Sequence, residues 1–480
     1  MGLKEKTIGG LAWTFAQQFS LQIITFGVSI ILARLLSPAE FGLFGMISVL
    51  IAIGSTLIDG GLTSSIIRTP NASQKDYSTV FVINLVGSII IYCVVFFTAP
   101  YVANFYNQEV LTNIIRVFCI VFVINAFNSV QRAKLTKEMN FKTQMIIQLP
   151  SVIAGGILGI ILAYNGFGVW SLVWMYVLQS FLSALQHWVY SGWKPNLKLD
   201  KVTFLYHFNF GYKMTLSSLL VTLYSNIYTV IIGKYFSAAQ LGFYTRALSL
   251  RQLPISNLSS ALNKVTYPML ASINHDDVKL KSVYKRVMQQ VIFWVAPVLI
   301  LLMVVAEPLI AFLLTDKWLP AVPYFQILCV SGIWMPLNSY NYNIIKVKGK
   351  SGLTLKLQIV KKVFGVIGIL LVIPFGIYGL LYFQIVTTLF EYLLDGFFGG
   401  RMINYRISEQ LKDLLPSISF AVIIGALTWI LESFLVKLVS FPDYAELLLC
   451  GFFYFSLYLG LSYIFKLKAI VDFRILVLKR

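Results

Sequence analysis

Ile31-Leu-Ala-Arg-Leu-Leu-Ser-Pro-Ala-Glu-Phe-Gly-Leu-Phe44 and Ile231-Ile-Gly-Lys-Tyr-Phe-Ser-Ala-Ala-Gln-Leu-Gly-Phe-Tyr244 are two versions of one stretch, 200 positions apart and aligned without a gap. Each reads as the end of a long apolar helix, a basic residue (Arg34, Lys234), a turn at Ser37 or Ser237, and the next helix starting around Gly42 or Gly242. A second echo, Gly168-Val-Trp-Ser-Leu-Val-Trp174 against Gly376-Ile-Tyr-Gly-Leu-Leu-Tyr382, is offset by 208. Self-similarity of this kind marks an internally duplicated membrane protein, with function expected where the copies meet.

Composition agrees. Hydrophobic residues make up 58% of the chain and charged ones 12%, far from the balance of a water-soluble domain. Apolar runs of about 20 residues recur throughout, each long enough to cross about 30 Å of hydrocarbon as a helix. A transmembrane barrel would show alternating strands of about 10 residues instead. The expected class is therefore an all-α polytopic membrane protein. The net charge of +19 is not read as a nucleic-acid footprint, because Lys and Arg gather in cytoplasmic loops under the positive-inside rule. Cys93, Cys119, Cys329 and Cys450 all lie in apolar runs without metal-ligand spacing, so they read as packing residues. Met1 to Lys6 is a short basic start with no cleavage site after the first apolar run, which reads as a retained first helix.

The first copy accommodates roughly six spans, near 10–33, 42–66, 79–101, 110–130, 145–164 and 168–190. The second accommodates roughly six more, near 211–235, 243–270, 287–306, 323–345, 357–374 and 377–399, and two follow near 414–436 and 445–465. About 14 spans are thus expected. Domains are expected at 1–200 (helices 1–6), 201–405 (helices 7–12) and 406–480 (helices 13 and 14), with 191–210 as linker because of Gly192, Pro195 and its lysines. Alternate connections carry most of the Lys and Arg, including Arg132, Lys134, Lys137 and Lys142 after span 4 and Lys346, Lys348 and Lys350 after span 10. This bias puts both termini in the cytoplasm and makes the copies parallel repeats.

Ionisable groups in hydrocarbon are costly, so each one inside a span is a candidate site. Arg251 falls about eight residues into the eighth span, roughly 12 Å from its outer end, three residues before Pro254. A guanidinium there suits phosphate oxygens; the alternative is a structural pairing. Lys213, Ser217, Leu220, Tyr224 and Tyr228 share one helical face of the seventh span, and Trp13, Gln17 and Ser20 share one of the first. Such faces suit the walls of a wet cavity whose Tyr and Gln bond sugar hydroxyls, and they also suit interhelical contacts; Lys213 is placed to snorkel. Asp59, on one face with Ser48 and Ser55, is the carboxylate best placed for ion coupling, or else a helix-end residue before Gly60-Gly61. Glu391 and Asp395 match the depth of Lys361 and Lys362 on the neighbouring span, which favours a structural ion pair over a proton relay. His187, His207 and His275 have no partner spacing, so no metal site is supported. No P-loop, G-x-S-x-G or cofactor motif occurs.

Leu32-Ala-Arg-Leu-Leu-Ser-Pro-Ala-Glu-Phe-Gly-Leu-Phe44 resembles the first-loop signature of bacterial polysaccharide flippases. Leu241-Gly-Phe-Tyr-Thr-Arg-Ala-Leu-Ser-Leu-Arg-Gln-Leu-Pro254, Asn263-Lys-Val-Thr-Tyr-Pro-Met-Leu270 and Lys317-Trp-Leu-Pro-Ala321 look like the Wzx-like branch that exports colanic-acid-type and teichuronic-type polymers. That branch sits within the multidrug/oligosaccharidyl-lipid/polysaccharide superfamily, and the likeness runs along essentially the whole chain. It implies two six-helix lobes around a cationic cavity in the bacterial cytoplasmic membrane. It also implies alternating access and an undecaprenyl-diphosphate-linked oligosaccharide moved from the inner to the outer leaflet. Arg246 and Arg251 lie inside the matching motif and inherit a substrate-contacting role from it. Other polysaccharide-assembly proteins are the implied partners.

The expected function is therefore secondary transport, without enzymatic chemistry and without a cofactor. Held by Arg251 and by polar faces of helices 1, 2, 7 and 8, the diphosphate-sugar head would cross while its lipid tail stays in the bilayer. A multidrug-type, cation-coupled exporter is the alternative of similar architecture, and its cavity should favour cations through carboxylates. A membrane glycosyltransferase or polymerase would need acidic residues in a sizeable outer loop. The outer connections offer only scattered acids such as Glu40, Glu109, Glu307, Asp316, Asp443 and Glu446.

Overall fold

The computed structural model describes the backbone of residues 3–59, 61–196, 200–438 and 442–472; among these residues the regular structure is all helix, with no strand. They form two compact units, Met1–Gly242 and Phe243–Arg480. The first holds α1 (Leu3–Leu35), α2 (Pro38–Asp59), α3 (Leu62–Arg68), α4 (Gln74–Tyr106), α5 (Val110–Phe118), α6 (Ile120–Lys137), α7 (Phe141–Tyr164), α8 (Val169–Ser191), α9 (Lys201–Ser225) and α10 (Ile227–Tyr235). The long α11 (Ala238–Ser272) starts in it and continues into the second. There follow α12 (Asp277–Val304), α13 (Ala306–Leu314), α14 (Val322–Val347), α15 (Ser351–Val372), α16 (Gly376–Arg401), α17 (Ile407–Leu438) and α18 (Asp443–Ile464).

By length and apolar content, 11 segments of the described residues can cross a membrane, or up to 12 if α9 and α10, bent by 45°, form one span. This is a multi-pass, all-α membrane protein. Ser351–Arg401 counts as one segment although it contains α15 and α16, which pack on each other across a 3₁₀ turn at Ile373–Phe375. α11 is not among the segments, since Arg246, Arg251, Gln252 and its serines dilute its apolar content.

The duplicated stretch is explained by its hydrogen bonds. Glu40 Oε2 accepts from Ser37 N (2.6 Å) and Ser37 Oγ (2.8 Å), while Ser37 Oγ accepts from Glu40 N (3.4 Å). Gln240 Oε1 accepts from Ser237 N (3.1 Å) and Ser237 Oγ (3.3 Å), and Ser237 Oγ accepts from Gln240 N (3.2 Å). Both copies are capping boxes, Ser-x-x-Glu and Ser-x-x-Gln, which satisfy the free amides at the starts of α2 and α11. Within the first unit these two helix starts meet backbone to backbone. A Cβ on Gly42 would overlap the carbonyl oxygen of Ala238, and one on Gly242 would overlap that of Pro38. The two clashes are the same clash exchanged between copies, as a local two-fold relation requires. The second echo also has a backbone cause. Gly168 and Gly376 open α8 and α16 at φ 55° and 74°, the left-handed region that glycine tolerates. A Cβ on Gly168 would strike the Glu40 carboxylate.

The first unit extends past the repeat boundary near 200 because α9 packs on α2, α3 and α4. α9 begins at Lys201, ten residues before the expected span, since Asp200 caps it by accepting from Thr203 N (2.9 Å) and Thr203 Oγ (2.6 Å). Those hydrogen bonds hold the Asp200 carboxyl below its ordinary pKa. Gly61 and Gly211 bring α3 and α9 into backbone contact. His207, inside α9 and fully buried, bridges Ser65 Oγ (2.8 Å, at Nδ1) and Asp76 Oδ1 (3.0 Å, at Nε2). His207→Ala strands these two polar partners and should cost roughly 1–3 kcal/mol. Hydrogen exchange would then rise in the amides of residues 203–211 and leave those of α7 unchanged.

In the second unit α12 is the central helix. Leu280, Tyr284, Met288, Val291, Val295 and Leu299 run along it at three- and four-residue spacing, all buried, and it packs on α13, α14, α17 and α18. α18 is pinned by Tyr458 OH donating to Phe293 O (3.0 Å) and Tyr454 OH donating to Ala421 O (3.1 Å).

Candidate functional site

Within the first unit, four helices leave a polar hollow between them. α7 carries Gln144, Gln148 and Ser151, and α8 carries Gln179, Ser180 and Ser183, each set on one helical face. The hollow of about 320 Å³ takes Gln148 and Ser151 from α7, the three α8 residues, Tyr176, Thr25 of α1 and Asn125 of α6. Among the described residues no Asp, Glu, Lys or Arg lines it. One turn further along α7 its glycines close the structure up. A Cβ on Gly155 would crowd the carbonyl of Met175, and one on Gly156 would crowd Val28. Small residues let α1 and α8 approach there, and the bulkier polar residues of the adjoining turns hold the helices apart.

The walls are tied by their own hydrogen bonds. Gln17 Nε2 donates to Gln148 Oε1 at 2.8 Å, Gln186 Nε2 donates to Ser151 Oγ at 2.9 Å, and Ser151 Oγ donates to Ile147 O at 2.8 Å. Tyr176 stacks on Phe44 with ring centroids 5.3 Å apart. Of these residues only Gln17 stands out in the sequence as a candidate. The three- and four-residue spacing of amides and hydroxyls on spans 5 and 6 is the signal that finds the others.

The basic candidates lie in the second unit. Arg251 of α11 is buried and its Nη1 donates to Ser331 Oγ of α14 at 3.0 Å. Its side chain lies against Gly332, where a Cβ would come within 3.2 Å of Arg251 Cδ. Arg251 Nε has no hydrogen-bond partner, and no carboxylate pairs with the guanidinium among the described residues. Arg246 is half-buried, with its guanidinium 6.0 Å from the ring of Trp318. The two arginines therefore face different neighbours, as a five-residue offset on a helix dictates.

The face expected on the seventh span is interrupted. Asn226 breaks the helix between α9 and α10, its Nδ2 donating to Thr222 O at 2.8 Å; such side-chain bonding to the preceding turn bends helices. Tyr228 thus lies beyond the bend from Lys213, Ser217 and Tyr224. Lys213 and Ser217 are exposed, and Lys213 Nζ lies 5.8 Å from the ring of Tyr212. The Asp59 side chain lies outside the described residues. Lys361 Nζ meets Asp395 Oδ2 at 2.6 Å, with both side chains buried. Glu391 instead accepts from Asn338 Nδ2 at 3.4 Å, and Lys362 is half-buried beside this group. Among the described residues no three His, Cys, Asp or Glu side chains gather as a metal site would need.

Known proteins resemble this chain along most of its length. It is 24% identical over 416 residues to the lipopolysaccharide biosynthesis protein WzxC of Escherichia coli, covering 82% of each chain. It is 25% identical to the teichuronic acid biosynthesis protein TuaB of Bacillus subtilis, covering 73% of each. Among solved structures, the lipid II flippase MurJ in an inward closed conformation superposes with a TM-score of 0.76 at 12% identity, covering 96% of this chain and 100% of that one. An inward-facing multidrug-resistance MATE transporter of the MOP superfamily superposes at 0.62 and 17% identity, covering 80% and 96%. These likenesses establish the fold. The family model for polysaccharide biosynthesis proteins matches residues 31–323, more than half of the chain, and the chain belongs to that family.

Proposed function

We propose that this protein is a flippase that carries lipid-linked oligosaccharide repeat units from the inner to the outer leaflet of the bacterial cytoplasmic membrane, for surface polysaccharide assembly. One observation carries the reading. The relatives matched over most of the chain are named for lipopolysaccharide and teichuronic acid biosynthesis, and a further one, ExoT of Rhizobium meliloti, is named a succinoglycan biosynthesis transport protein. The fold supports transport, since it is the fold of a flippase and of a drug exporter. The uncharged polar hollow and the buried arginine support a substrate that is both sugar and anion.

In this reading the chain works as a secondary transporter of about 14 spans. Two six-helix lobes and two further helices alternate access to the two membrane faces, and the lipid tail stays in hydrocarbon. Arg251 and Arg246 contact the diphosphate; Arg251 is buried with only its Nη1 engaged, on Ser331 Oγ, so its guanidinium has to be uncovered before it meets the substrate. Lys213, Ser217, Tyr224 and Tyr228 line the path on the seventh span, and Gln17 does so on the first. Asp59 couples transport to an ion or to the membrane potential, worth about 2.3 kcal/mol per charge per 100 mV. Neighbouring polysaccharide-assembly proteins deliver and receive the glycolipid.

Initial rates of translocation in proteoliposomes test the arginine assignment. Arg251→Met removes charge-assisted hydrogen bonds worth about 1.5–3 kcal/mol and should slow movement of a polyprenyl-diphosphate-linked oligosaccharide by about tenfold or more. Ser331→Ala should not slow it. Unimpaired transport by Arg251→Met would remove Arg251 from the site while leaving the flippase reading intact.

A further inference from the structure

The hollow in the first unit has hydrogen-bonding capacity that its own walls do not use. The side chains of Asn125, Gln179 and Ser180 bond to no other described residue, and Gln148 accepts from Gln17 but leaves its own amide hydrogens unused. These side chains are half-buried and face the hollow, so their amides and hydroxyls favour a polar occupant over an apolar one.

The lining decides what that is. A diphosphate would find no Lys or Arg, and a metal cation would find no carboxylate to neutralise it. An uncharged polyol fits on both counts. Each sugar hydroxyl donates and accepts, and a planar Asn or Gln amide presents one acceptor and two donors to match. Tyr176, fixed by its stacking on Phe44, supplies an aromatic edge, suited to the C–H groups of a ligand that is part C–H and part hydroxyl. The volume of about 320 Å³ lies at the small end of the roughly 300–1,000 Å³ of small-molecule sites. It has room for a sugar residue or a short stretch of glycan, not for a polymer.

We propose that this hollow is a subsite for an uncharged sugar of the carried glycan, separate from the residues that hold the diphosphate. The assignment rests on the flippase reading. Sugar recognition then belongs to the first unit and phosphate recognition to the arginines of α11.

The test uses the full-length protein in proteoliposomes with two lipids, a polyprenyl diphosphate bearing a neutral oligosaccharide and the same lipid without sugar. Asn125→Leu and Gln179→Leu exchange polar for apolar side chains in a membrane bundle and so keep its packing. Each should raise the half-saturating concentration of the glycan-bearing lipid by about tenfold and leave the sugar-free lipid unaffected. An unchanged concentration dependence, or an equal loss for both lipids, overturns the subsite.

Should the wild type move neither lipid, the flippase reading fails and a second arm still judges the hollow. Ser180→Cys is placed in a Cys93→Ser background, because Cys93 is exposed and the other three cysteines are buried. A membrane-impermeant maleimide should label Cys at this position, and a free neutral disaccharide should slow that labelling several-fold while a sugar phosphate does not. Absence of labelling, or labelling indifferent to the disaccharide, contradicts the assignment.

Discussion

Gly42→Ala and Gly242→Ala should each lower stability by about 2–3 kcal/mol, the cost of overpacking where nothing can yield. The obstacle to the new methyl is a backbone carbonyl, Ala238 O or Pro38 O, not the tip of a flexible side chain. Relief requires the starts of α2 and α11 to separate, which loosens the point where the duplicated stretches touch. Gly27→Ala is the control, since a Cβ there meets nothing within 4 Å and alanine is the better helix former by about 1 kcal/mol. Thermal unfolding of the purified protein in detergent should show Gly27→Ala at or above wild type and the other two well below it. Three indistinguishable curves would mean that the crossing is not tight.

Lys361→Met should be at least as damaging. It leaves Asp395 buried at 1% exposure without its cation, and removing one partner of a buried pair costs about 3–5 kcal/mol. The two carboxylates of α16 would then face each other across one helical turn. The double variant Lys361→Met/Asp395→Leu removes both charges and should recover most of the loss, because an apolar pair of similar volume is often neutral or better. If transport also returns in the double variant, the pair is structural. If stability returns while transport stays abolished, the pair takes part in the transport cycle.

The duplication is legible in the sequence because it is carried by residues whose roles are local. Ser37 and Glu40, and Ser237 and Gln240, are spaced as capping boxes wherever they occur, and Gly168 and Gly376 open helices in a conformation that other residues avoid. The Asp200-x-x-Thr203 start of α9 is equally local, yet Gly192 and Pro195 draw attention to a linker instead. The break at Asn226 has no Pro or Gly to announce it. The Ser65–His207–Asp76 bridge joins residues more than 130 positions apart, and no spacing rule reaches that far. Equal depth brings Lys361 and Lys362 near Glu391 and Asp395, but which pair closes is decided by rotamers and packing. The polar hollow lies between these extremes. Its stripes on α7 and α8 are periodic, but each amide alone looks like interhelical contact until four helices are seen to leave the same space unfilled.

In a flippase the glycan crosses the membrane still attached to its lipid. A polyprenyl-diphosphate oligosaccharide labelled separately on sugar and on lipid, placed in one leaflet of proteoliposomes, shows whether it does. Both labels should reach the opposite leaflet together, at equal rates, only when the protein is present, and should be recovered as one intact molecule. Sugar label appearing without the lipid, or equal crossing in protein-free vesicles, would contradict the flippase reading.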